Sequence, residues 1–234
     1  LLLHGWSPLG GVNWQKFLDL FDAKEYQVIA PDLPGMGQSP DPQGVWNSLD
    51  YAKFFLEFAS RDLAWDKYFL VGHSFGGAIA SQMCSMSKNP QKLALLAPAI
   101  VREGLNSKQK KIVKTTKWGK KFFQIPIFKP FWGLAKKAWY KAFGCSDYTQ
   151  VSQLMKQVHQ KVVKEDLQYL LPKINQPSLI IWGDKDTITP LRYSQIISQG
   201  LTNSQLKIFA GTNHGLHIHA TDKLYAEILN FLEK

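Results

Sequence analysis

Tyr68-Phe69-Leu70-Val71-Gly72-His73-Ser74-Phe75-Gly76-Gly77-Ala78-Ile79-Ala80-Ser81 is the stretch that decides the fold. Its first part is a short apolar run of β-type residues, and its last part is a row of small residues with helical character. Between them a serine stands with glycine two positions to either side. That spacing fits a sharp strand-to-helix turn whose crowded backbone accepts no larger side chain. Such a turn lifts the Ser74 hydroxyl above a sheet. It also leaves the Phe75 N–H at a helix start, where an unpaired donor can stabilise an oxyanion. A bare Gly-x-Ser-x-Gly pattern is common by chance; the strand before it and the helix after it point to a nucleophile.

Away from this turn the 234 residues alternate short apolar runs with longer helical patterns, which reads as βα units around a largely parallel sheet. Six runs qualify as strands: 1–3, 27–30, 68–72, 93–97, 178–182 and 206–209. Helices are expected near 14–21, 49–59, 75–87, 191–199 and 222–232. Each strand is followed by a Gly, Pro, His or Asp cluster, so functional residues should gather at the carboxyl edge of the sheet.

A serine hydroxyl is a poor nucleophile until a base takes its proton, and the base needs a partner that fixes its tautomer. In this fold order an acid and then a histidine should follow the serine. After the next-to-last strand the chain reads Trp182-Gly183-Asp184-Lys185-Asp186-Thr187-Ile188-Thr189-Pro190, and after the last it reads Ala210-Gly211-Thr212-Asn213-His214-Gly215.

With these segments in order the sequence resembles the α/β-hydrolase fold family, of the serine hydrolase and esterase type with a helical cap. His4-Gly5-Trp6 is similar to the family's oxyanion loop, Asp32-Leu33-Pro34-Gly35-Met36-Gly37-Gln38-Ser39 to its next loop, and 72–77 to its nucleophile elbow. The resemblance implies a three-layer α/β/α sandwich with a mostly parallel central sheet and an inserted helical lid. It maps the catalytic acid onto Asp186, through the spacing from Gly183 to Pro190, and the base onto His214. Asp184 stays open as a rival acid, with a turn role as its plainer reading. The backbone N–H groups of Trp6 and Phe75 are the expected oxyanion donors, and both side chains are expected to touch substrate. His4 is expected to shape its loop and His73 to support the site from behind. His217 and His219 are read as surface or packing residues, His159 as a solvated lid residue, and Cys84 as a small buried one.

The mechanism implied is two-step acyl transfer without metal or organic cofactor, acting on a carboxylic ester of an apolar small molecule. A thioester, or a carbon–carbon bond beside a ketone, would use the same three residues. A binding or sensing protein on the same scaffold is the reading from another class.

The formal net charge of +10 raises nucleic acid as a partner, but its distribution argues otherwise. Residues 101–165 hold 15 lysines and arginines against 3 acids, leaving 13 against 15 elsewhere. This segment, rich in Lys, Trp and Phe, reads as a lid of three helices over 101–172, set into a core of 1–100 and 173–234. Its aromatic residues, Trp118, Phe122, Phe123, Phe128, Phe131, Trp132, Trp139 and Phe143, could roof an apolar pocket. Its lysines are expected to be solvated, with weak contact to an anionic membrane as the functional alternative. Two cysteines, Cys84 and Cys145, make no disulfide framework, and with no leader pattern the expected location is the cytoplasm. Since 1–6 resemble the family's third strand and oxyanion loop, the resemblance also implies two strands encoded upstream, covering an edge at 27–30.

Overall fold

The computed structural model describes residues 1–102 and 151–233. Contacts gather 1–102 with 152–234 into one unit and 103–151 into another. The expected first two lid helices, the lid aromatics and Cys145 lie outside the described residues.

The described chain runs through β1 (Leu2–Leu3), α1 (Gln15–Leu18), α2 (Ser48–Glu57), β2 (Tyr68–His73), α3 (Phe75–Met86) and β3 (Pro90–Leu96). It continues with α4 (Gln153–Val162), β4 (Ser178–Gly183), α5 (Arg192–Gly200), β5 (Ser204–Phe209), α6 (Leu216–His219) and α7 (Thr221–Glu233). The five strands form one sheet in the order β1-β2-β3-β4-β5. All four pairings are parallel. This is the mostly parallel α/β sheet that the sequence implies. Each crossover returns the chain to the same edge, so every β-to-α loop opens on one side.

Over 68–71, 93–96 and 179–182 the three inner strands are apolar on both faces, because the sheet is covered on both. Leu93, Leu95, Leu96, Ile180, Ile181 and Trp182 are wholly inaccessible to solvent. Removing one leucine-sized side chain from such a core typically costs about 2–5 kcal/mol. Helix α3 is buried almost throughout, which explains its run of small residues. Helix α2 starts at a reciprocal cap: Asn47 Oδ1 accepts from the Asp50 N–H at 2.9 Å, and Asp50 Oδ2 from the Asn47 N–H at 2.8 Å. Helix α4 is amphipathic, with Met155, Val158 and Val162 buried, and the Ser152 hydroxyl caps its start by accepting from Met155 N–H at 3.1 Å.

Two expected elements come out differently. The 27–30 run lies beside β1, joined to it by the Leu2 N–H donating to the Ile29 carbonyl at 2.8 Å, but it forms no ladder. The reason is the shortness of β1: successive N–H groups of a strand point to opposite neighbours, so two residues offer that side one donor. The helix expected over 14–21 is a 3₁₀ turn, Gly10–Trp14, followed by the single α-turn of α1. Beyond it Leu20 and Phe21 bond three residues back, to Phe17 and Leu18, which tightens the coil and ends it. Among the described residues no helix is long and apolar enough to cross a membrane.

Candidate active site

Ser74 stands between β2 and α3 with φ 51° and ψ −114°, a conformation rare for any residue with a Cβ. The turn holds because its surroundings are fixed. The Ser74 N–H donates to the Leu96 carbonyl at 2.9 Å, and the Ser74 carbonyl accepts from Gly77 at 3.0 Å and Ala99 at 2.9 Å. The neighbouring glycines are needed for close approach: a Cβ on Gly76 would collide with the Leu3 carbonyl, and one on Gly72 would lie 2.5 Å from the Gly76 carbonyl oxygen. The elbow is therefore wedged between β1, its own helix and the end of β3. Ser74 itself is half-buried, and among the described residues its hydroxyl makes no hydrogen bond.

Asp186 and His214 come from the loops after β4 and β5. The loops are zipped together by the Asp184 N–H to Phe209 (3.2 Å) and the Lys185 N–H to Thr212 (3.0 Å). His214 Nδ1 donates to Asp186 Oδ2 at 2.7 Å, with the carboxylate side chain fully shielded from solvent. The other carboxylate oxygen accepts from the backbone N–H groups of Ile188 and Thr189 at 2.8 and 2.9 Å. Burial alone would raise the Asp186 pKa. The hydrogen bond and charge of His214, with the N–H and hydroxyl of Thr189, outweigh it and hold the carboxyl below its ordinary value. Asp184, the rival acid, is exposed.

Thr189 is a site residue that the sequence reading passed over. Its hydroxyl donates to Asp186 Oδ2 at 2.8 Å and lies 3.2 Å from His214 Nδ1, touching both members of the pair. The available signal was a hydroxyl residue between Asp186 and Pro190, on the inner side of the turn.

Trp6 and Phe75 meet with ring centroids 5.8 Å apart. Among the described residues neither of their backbone N–H groups donates to another protein group. Phe75 also packs on Tyr51 at 5.3 Å, and the Tyr51 hydroxyl donates to the Pro34 carbonyl at 2.9 Å. His159 is not solvated as expected: its ring meets Trp6 edge-on at 4.7 Å, and burial, with the Arg102 charge, lowers its pKa. His4 does shape its loop, accepting the Leu33 N–H at Nε2 (2.9 Å) and donating from Nδ1 to Gly5 (2.6 Å). His217 is buried against Trp14, whereas His219 is exposed. Cys84 is a buried free thiol whose pKa is pushed up by burial. No cluster of three or more His, Cys, Asp or Glu residues suited to a metal ion occurs among the described residues.

A family model described as the alpha/beta hydrolase fold matches residues 1–221. Among curated proteins the chain is similar to a non-heme chloroperoxidase of Kitasatospora aureofaciens, at 27% identity over 100% of this chain and 92% of the relative. It is also similar to a pimeloyl-acyl-carrier-protein methyl ester esterase of Vibrio atlanticus, at 23% identity over 100% and 94%. Among solved structures, an esterase of Exiguobacterium antarcticum superposes with a TM-score of 0.73 at 20% identity, covering 100% of this chain and 91% of that one.

Proposed function

The chain belongs to the alpha/beta hydrolase fold family, and from that premise we propose that it is a serine hydrolase cleaving carboxylic esters of apolar small molecules. The observation that carries the reading is the strained Ser74 turn on the same sheet edge as a His214–Asp186 pair bonded at 2.7 Å.

The chemistry follows from the hydrogen bonds. Asp186 accepts from Nδ1, so that nitrogen carries the imidazole proton and Nε2 keeps a free lone pair. His214 takes the Ser74 proton at Nε2 as the serine oxygen attacks the acyl carbon. The N–H groups of Trp6 and Phe75 receive the developing oxyanion. The tetrahedral adduct collapses, His214 hands the proton to the departing alcohol, and the acyl group remains on Ser74. Water then gives a proton to His214 while its oxygen attacks the acyl carbon; the acid leaves and Ser74 recovers its proton. Asp186 stays ionised throughout and stabilises the imidazolium. No step calls for a cofactor.

An apolar substrate is supported by the rings of Trp6, Phe75 and Tyr51 beside the elbow. The esterase name of one relative supports the choice of an ester bond. Turnover of p-nitrophenyl esters of graded chain length, with Ser74→Ala as control, tests the reading. We expect measurable hydrolysis, a preference that depends on chain length, and loss of both turnover and fluorophosphonate labelling in the variant. Labelling at Ser81 or Ser85, or full activity without Ser74, would overturn it.

A further inference from the structure

The His73 side chain has no part in the steps above, yet it is buried to 7% exposure directly beside Ser74. Its Nε2 lies 2.9 Å from the backbone carbonyl of His214, across 141 positions of sequence. A carbonyl only accepts, so His73 must carry its proton on Nε2 and donate. The ring is boxed in on three sides. His214 and His217 lie with centroids at 4.7 and 4.6 Å, and a Cβ on Gly5 would fall 2.9 Å from His73 Nδ1. Burial first, then the nearby His217 and His214, holds His73 neutral. A neutral ring matters here, because a cation in this position would repel the imidazolium that forms on His214.

We infer that His73 is a positioning residue for the reaction: its Nε2–H clamps the His214 carbonyl and so fixes the loop that presents the base to the neighbouring serine. This rests on the hydrolase reading above. The Asp186 bond fixes the tautomer and tilt of the His214 ring; the His73 bond anchors that residue's backbone, and it does so from the strand that delivers the nucleophile. Serine and base are thereby referenced to adjacent residues of one rigid element, so the two cannot drift apart when the loop moves.

Two variants of nearly equal size separate the clamp from mere packing. His73→Gln keeps an N–H at about the reach of Nε2, whereas His73→Met keeps the length and removes the donor. For His73→Met we expect kcat on p-nitrophenyl acetate, and the rate of fluorophosphonate labelling at Ser74, to fall on the order of 10- to 100-fold, the scale set by lost outer partners of a working imidazole. KM should change less than about twofold, since no substrate contact is lost. His73→Gln should recover most of the loss. Equal losses in both variants, or wild-type kcat in both, would overturn the clamp. A second measurement stands even if both variants misfold: in ¹⁵N-histidine NMR spectra of the wild-type protein near pH 7, His73 must appear as the neutral Nε2–H tautomer. A proton on Nδ1 would overturn the inference. A wild-type protein inert to both ester and probe would instead sink the hydrolase reading, while the tautomer still reports on the hydrogen bond.

Discussion

Ser74 holds its hydroxyl in place by remaining in a left-handed conformation, φ 51°, which costs a residue with a Cβ about 1–3 kcal/mol. Ser74→Ala keeps that Cβ and that strain, whereas Ser74→Gly relieves it. Thermal melts should therefore place Ser74→Gly above Ser74→Ala by about 1 kcal/mol in stability, with both inactive. Asp186→Asn should lower kcat by a factor on the order of 10³–10⁴ through loss of the orienting charge. Asp184→Asn, at an exposed position, should change kcat little; reversed effects in the same steady-state assay would reassign the acid. Thr189→Val is nearly isosteric but strips the Asp186–His214 pair of the hydroxyl that touches both partners. We expect a fall in kcat on the order of tenfold with KM nearly unchanged, measured on the same ester. The sequence points to Ser74, Asp186 and His214 as candidates because each sits in a spaced pattern that fits a strand-end loop. It points to His73 only as a support behind the site and passes over Thr189, because what each one touches depends on where a ring nitrogen or a hydroxyl points after two distant loops have met.

Elements that are buried on both faces were the most legible. The central parts of β2, β3 and β4, at 68–71, 93–96 and 179–182, are unbroken apolar runs whose composition leaves little choice of environment. The 27–30 run looked the same but lacks a partner long enough to build a ladder, and that lack lies in β1 rather than in its own residues. Helix α4 was read as part of the lid from its basic setting, while its apolar stripe packs within the unit that contains the sheet. Its anchor is Met155, wholly buried, over a glycine in the left-handed region: a Cβ added at Gly35, φ +82°, would strike the Met155 sulfur. Met155→Ala should cost about 2–5 kcal/mol in the wild type and less in a Gly35→Ala background, where shortening Met155 also removes the collision. Urea unfolding of the four proteins of this double-mutant cycle checks that coupling; strict additivity would show that the helix does not bear on this loop.

Across the whole molecule, three buried neutral histidines, of which His73 packs on His214 and on His217, make the fold sensitive to acid. His4, His73 and His217 all have pKa values lowered by burial, that of His217 from 6.5 to about 4. A base with a depressed folded pKa binds fewer protons folded than unfolded, so the stability it contributes is complete above 6.5 and is lost as pH falls toward the folded value. Asp186, also depressed, contributes a loss in the same direction at lower pH, below the ordinary carboxylate pKa of 3.8. The urea midpoint should thus drop between pH 7 and pH 5, ahead of carboxylate protonation. His217→Phe, which keeps a ring against Trp14 and removes a buried nitrogen that has no hydrogen-bond partner among the described residues, should flatten that decline; an unchanged slope would show that His217 does not contribute to it. The same architecture imposes an order in time. The bond between His73 and His214 joins positions 141 residues apart, and ribosomes add roughly 5–20 residues per second. A growing chain therefore adds Ser74 on the order of ten seconds before His214. On the proposed reading, the nascent polypeptide carries its serine without its base throughout that interval.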